Sequence, residues 1–162
     1  MMPDPGSILV LCTGNICRSP MAEGLLRHAL AGQPAPLKDL RVISAGVAAR
    51  NGEPVSENSV IALKKAGIDI SRHRAQQVTQ EMLDEALVVL GMTESHRAIV
   101  RRQAAPAPAQ LHLFRDFLPS PAEKEIGDPY GGPLRVYEAS RDEMVEAIPS
   151  LVEFLKKLTG KA

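Results

Sequence analysis

Ser7 to Leu11 (SILVL) is a short apolar run bounded by Gly6 and, a few residues on, by Gly14. It constrains the fold more than any other stretch. An apolar run of this length with no polar face reads as a strand covered on both sides. A loop then leads to Ser19-Pro20, which reads as a helix start with Ser19 as N-cap and Pro20 in the first position, where a missing N–H costs nothing. Along the helix that follows, to about Ala31, the apolar positions Met21, Leu25, Leu26, Ala29 and Leu30 recur at spacings of three and four. Glu23, Arg27 and His28 fall on the wetter side.

The alternation continues along the chain. Leu40 to Ala45 reads as a second strand, and Gly46 to Pro54 carries turn residues up to a second helix with Ser56 as its cap. Gly67 ends that helix, and Ile68 suits the hydrophobic contact that accompanies a left-handed glycine terminus. Ala86 to Gly91 (ALVVLG) is a third buried strand, Thr93 caps a helix to about Gln103, and Gln110 to Phe114 is a shorter fourth strand. Gln103 to Gln110 (QAAPAPAQ) is a proline-containing connector. Tyr137, Met144, Ile148, Leu151, Leu155 and Leu158 form a stripe at helical spacing, so a long C-terminal helix is expected. Strands separated by helices imply right-handed crossovers. The expected class is α/β, a three-layer, four-stranded, mostly parallel sheet with helices on both faces. Residues 1–6 are expected to be a flexible N-terminus and residues 7–160 one domain, since 162 residues with 44% hydrophobic content suffice to bury a core.

In such sheets ligands bind beyond the carboxyl ends of the strands, and the first strand ends at Cys12. The loop Cys12-Thr13-Gly14-Asn15-Ile16-Cys17-Arg18-Ser19 joins that end to the first helix. Gly14 and Asn15 tolerate left-handed conformations that turn successive amides inward, and the helix terminus adds partial positive charge. Such a loop is an anion cradle. Arg18 supplies a planar bidentate donor for two oxygens of a phosphate, a role a lysine fills less well. The same field favours an ionised sulfur at Cys12. The 19 basic and 19 acidic residues cancel, so the charge balance points to neither nucleic acid nor an anionic membrane surface as a partner. No stretch is apolar for the length of a membrane span and MMPDPGS lacks the features of a secretory signal, so a cytoplasmic protein is expected. Two cysteines five positions apart are not a disulfide framework.

The segment CTGNICRSP resembles the signature loop of the low-molecular-weight protein tyrosine phosphatases, in its bacterial type. The resemblance extends through Ser44-Ala45-Gly46, through Gly67-Ile68-Asp69 with His73-Arg74-Ala75, and to Asp128-Pro129-Tyr130. It implies that family's fold and a cysteine-dependent hydrolysis of phosphate monoesters on phosphorylated proteins, with no metal and no cofactor, by a monomer or weak dimer. On this resemblance Cys12 is the nucleophile, and Arg18 with the amides of Thr13, Gly14, Asn15, Ile16 and Cys17 holds the phosphate. Ser19 steadies the thiolate as leaving group, Asp128 is the general acid and base, and Tyr130 flanks the substrate. Asn15, Ser44 and His73 match positions of a hydrogen-bond network that keeps the loop in shape. Cys17 matches a cysteine that protects the nucleophile by a reversible disulfide. His28, His96 and His112 are expected to be surface or internally satisfied residues.

Other functions fit parts of the pattern. A bacterial branch with the same loop removes phosphate from arginine, and Thr13, Asn51-Gly52-Glu53-Pro54 and Gly131-Gly132-Pro133 look like that branch. Ile16 argues for tyrosine, because the arginine branch resembles threonine there. Arsenate reduction in thioredoxin-coupled members needs further cysteines, and none follow Cys17. A non-catalytic phosphate-binding module would need neither a nucleophile nor an acid.

Overall fold

The computed structural model describes residues 5–160. Residues 1–4 of the expected flexible terminus lie outside them. Four strands form one sheet in the order β2-β1-β3-β4: β1 (Ser7–Cys12), β2 (Arg41–Gly46), β3 (Ala86–Gly91) and β4 (Leu111–Leu113). All three pairings are parallel. The α-helices among the described residues are α1 (Arg18–Ala31), α2 (Glu57–Lys64), α3 (Gln80–Glu85), α4 (Glu94–Gln103) and α5 (Leu134–Thr159).

The layers follow from the two-residue period of the strands. Along β1, Ile8, Val10 and Cys12 face one core, with Met21, Leu25 and Leu26 of α1, Leu63 of α2 and Met144, Leu151 and Leu155 of α5. Leu9 and Leu11 face the other, with Leu83 of α3 and Val100 of α4. Every residue of β1 is buried, as its lack of a polar face requires. The stripe read from Tyr137 to Leu158 is the inner face of the 26-residue α5. Among the described residues, no helix is long and apolar enough to cross a membrane.

Two local readings are corrected. Helix α1 begins at Arg18, not Pro20, and its N-cap is Cys17, because the Ser19 hydroxyl is engaged with other side chains. Ser56 does cap α2 by position, but its hydroxyl contacts Cys17 Sγ at 3.0 Å and makes no side-chain cap bond. The short α3 carries only two apolar side chains, too few for a periodic pattern, and was not anticipated. Gly67 ends α2 as expected. Its φ is 82°, its N–H donates to Lys64 at 2.9 Å, and the N–H of Ile68 donates to Leu63 at 3.0 Å. These are the two bonds of a Schellman terminus. Gly67→Ala is expected to lower stability by about 1–2 kcal/mol through left-handed strain, without altering catalysis. Urea unfolding beside steady-state kinetics checks both halves.

Candidate active site

The strand order puts β1 in the middle of the sheet, and its carboxyl end delivers Cys12 to the start of α1. In the loop between them the carbonyls are engaged one after another. Those of Cys12 and Thr13 accept from the N–H of Val47 and of Ala48, and that of Ile16 accepts from Ser56 N–H. The Asn15 carbonyl is 2.9 Å from His73 Nε2, and that of Cys17 accepts from the Ser59 hydroxyl. In a planar trans peptide the N–H of the next residue points the opposite way. The amides of Thr13, Gly14, Ile16, Cys17 and Arg18 are thereby turned from the surrounding protein. Gly14 keeps an ordinary φ, and it is Asn15, at φ 57°, that takes the left-handed conformation.

Gly46, at the end of β2 and in register with Cys12, lets the loop pass close by. A Cβ there would stand 2.5 Å from the Thr13 carbonyl oxygen and 3.1 Å from Asn15 N. The Asn15 side chain is fully buried and points away from the pocket. Its Oδ1 accepts from Gln76 N–H, which fixes Nδ2 as donor to Ser19 Oγ at 2.7 Å and to Ser44 Oγ at 3.0 Å. Ser44 in turn donates to Glu23 Oε1, and His73 Nδ1 lies 4.0 Å from the same carboxylate oxygen. Ser19 Oγ accepts from Asn15 and lies 3.0 Å from Cys12 Sγ, which leaves its own proton free to be donated to that sulfur. A hydrogen-bonded network thus reaches the buried sulfur.

Arg18 is 4% exposed at the first position of α1. One edge of its guanidinium is held: Nη1 donates to the Ile126 carbonyl at 2.9 Å, and Nη2 lies 3.5 Å from Thr13 Oγ1 and 3.7 Å from Asp128 Oδ2. Nε is buried and has no partner. Leaving a buried charged donor unpaired is costly, so this atom marks where an acceptor belongs. Ile126 is tied to the residue just beyond β3 by its N–H on the Met92 carbonyl, and this sets Asp128 over the cradle. The Asp128 carboxylate is half exposed, and its Oδ1 accepts from Tyr130 N–H. Tyr130 is 69% exposed.

Cys12, Thr13, Gly14, Ile16, Cys17 and Arg18 line the floor of a pocket of about 350 Å³, and Arg50, Glu53, Asp128 and Tyr130 form its walls. The structure therefore brings together every residue singled out from the sequence, with Asn15, Ser19, Ser44 and His73 behind the floor. Both cysteines are free thiols. Burial raises the Cys17 thiol above its ordinary value, with hydrogen bonds from Ser56 and Tyr137 opposing.

Three neighbours were not singled out. Glu23, read as a wet-face residue, is half-buried in the network, and Gln76 has no signal of its own. His96 is internally satisfied, as expected, but it is buried against the loop at 3.0 Å from Thr13 Oγ1. Its place just after the third strand, at the ligand-binding edge of the sheet, was the available clue.

The family model described as low molecular weight phosphotyrosine protein phosphatase matches residues 7–161. The chain belongs to this family. A protein-arginine-phosphatase of Geobacillus stearothermophilus is 38% identical over 94% of this chain and 97% of its own length. A probable low molecular weight protein-tyrosine-phosphatase EpsP of Ralstonia nicotianae is 35% identical over 94% and 97%. The solved structure of the Geobacillus arginine phosphatase superposes with a TM-score of 0.82, covering 94% of each chain. That of a low molecular weight protein tyrosine phosphatase from T. tengcongensis also reaches 0.82, at 39% identity, covering 92% and 99%. The expected fold and enzyme class are borne out: the protein is a low-molecular-weight phosphatase, a hydrolase.

Burial, reinforced by the Arg18 charge and opposed by Asp128, pushes the His96 imidazole down to about 4. As pH falls through about 6.5 the unfolded chain takes up a proton here that the folded phosphatase refuses until near 4. Stability is expected to fall across that window. Urea melts from about pH 7 to about pH 4.5 check it, and in His96→Asn this part of the slope should vanish.

Proposed function

We propose that this phosphatase hydrolyses phosphotyrosine in proteins through a phosphocysteine intermediate. The observation that carries the reading is the buried, unpartnered Arg18 Nε beside a pocket floored by Cys12 and by outward-tied peptides. A tetrahedral dianion gives that nitrogen its acceptor and meets the loop amides at the positive end of α1. Cys12 Sγ attacks phosphorus, an S–P bond forms, and the bond to the phenolic oxygen breaks. Asp128 gives that oxygen its proton. The resulting carboxylate then accepts a proton from water as the water oxygen attacks phosphorus. The S–P bond breaks, inorganic phosphate forms, and the Ser19 hydroxyl stabilises the departing sulfur. Nothing in this scheme calls for a metal or cofactor. Tyr130 flanks the phenol, and the aliphatic Ile16 gives it an apolar contact.

Phosphoarginine is the second reading. It is favoured by Arg50 and Glu53, which line the pocket beside Tyr130 with no second aromatic ring among its lining residues, and a carboxylate suits a guanidinium. Among relatives, both tyrosine and arginine phosphatases are similar to this chain over most of its length.

Cys12→Ser is expected to abolish turnover of p-nitrophenyl phosphate while phosphate affinity is kept, and retained activity would end the phosphocysteine scheme. Asp128→Asn is expected to lower kcat by about 10²–10⁴-fold, most for esters with poor leaving groups. Matched phosphotyrosine and phosphoarginine peptides decide the substrate. Faster arginine turnover would overturn the preference.

A further inference from the structure

His96 belongs to α4, on the side of the sheet away from α1, yet it touches the first residue of the loop beyond Cys12. Gly91 makes this approach possible, since a Cβ there would stand 3.0 Å from that of His96. The ring's two nitrogens have distinct partners. Nδ1 is 3.2 Å from the backbone N–H of Met92 and 3.2 Å from that of Thr93. Both are obligate donors, so Nδ1 keeps its lone pair and the proton sits on Nε2. That N–H donates to Thr13 Oγ1 at 3.0 Å, while Arg18 Nη2 approaches the same oxygen at 3.5 Å. A hydroxyl oxygen has two lone pairs, and here both face donors. The Thr13 proton has only the pocket left to point to, and Thr13 lines that pocket.

We infer that His96 is a positioning residue: it locks the Thr13 hydroxyl as an outward donor to a phosphoryl oxygen and steadies the Nη2 edge of Arg18 through the same oxygen. The inference rests on the phosphate-binding part of the proposed function. It adds a side-chain donor to the ring of amides and routes it through the far layer of the sheet. The charged groups facing the ring are Arg18 of α1 and Asp128 of the loop before α5. Neither fills the lone pair that faces Nε2, because Arg18 Nη2 already approaches the other one at 3.5 Å and the Asp128 carboxylate is an acceptor.

The test separates this role from a structural one. In His96→Asn the amide oxygen can replace Nδ1 as acceptor of the Met92 and Thr93 amides, but nothing reaches Thr13. Phosphate binding is measured by calorimetry in the Cys12→Ser background, which needs no turnover. His96→Asn and Thr13→Val are each expected to weaken inorganic phosphate about tenfold. Combined they should do no more than either alone, within about twofold, while Thr13→Ser keeps the parent affinity. Parent affinity in His96→Asn, or effects that multiply to about a hundredfold, would overturn the inference. If His96→Asn fails to fold, ¹⁵N NMR of the parent ring decides. A protonated Nε2 whose signal moves in Thr13→Val is expected, and a proton on Nδ1 overturns it. Activity surviving Cys12→Ser would instead sink the catalytic scheme and leave these affinities meaningful.

Discussion

A guanidinium buried at the start of a helix is the constraint around which the rest of this molecule is arranged. Arg18 stands where the α1 dipole is positive, an unfavourable place for a cation. Its surroundings answer with acceptors. The Ile126 carbonyl, the Thr13 hydroxyl and the Asp128 carboxylate lie along one edge, and the other edge is left for an anion. The segment from Ile126 to Tyr130 crosses above the cradle because its first residue is needed beside Arg18. The carboxylate proposed as acid is thus delivered to the pocket by the same contact that holds the cation.

Rigidity comes from behind the loop. Asn15 is oriented by a backbone amide from Gln76, and from that one choice the directions of the Ser19 and Ser44 hydroxyls follow. Tyr137 of α5 lies 3.6 Å from Cys17 Sγ, so the long helix also abuts the cradle. Burial and this contact push the Tyr137 hydroxyl up to about 12, and it stays a neutral donor or acceptor there.

Much of this was legible in the residues because it is local. An apolar strand, a loop with Asn15 and Arg18, and Ser-Pro opening a helix are written within one short stretch, and β3 and α5 declare themselves by run and stripe. What escaped depends on distance along the chain. Ser19 has the chemistry of an N-cap, and a local rule assigns it that role, but Asn15 and Cys12 claim its hydroxyl. Glu23 looks solvated on a helical wheel until Ser44 and His73 arrive from β2 and the loop before α3. His96 and Thr13 are brought together only by the β1–β3 pairing. Gly14 and Asn15 were equal candidates for the left-handed turn, and only Asn15 takes it, since its side chain is held from three sides.

Gly46 gives the proposed anion site a boundary wider than its own loop. Standing in register with Cys12 on the neighbouring strand, it contributes the absence of a side chain where the Thr13 carbonyl must pass. Grafting the signature segment onto another parallel sheet would therefore carry over the donors but not the shape, unless the adjacent strand also ended in glycine at the matching rung. The portable unit of this chemistry is a pair of strands.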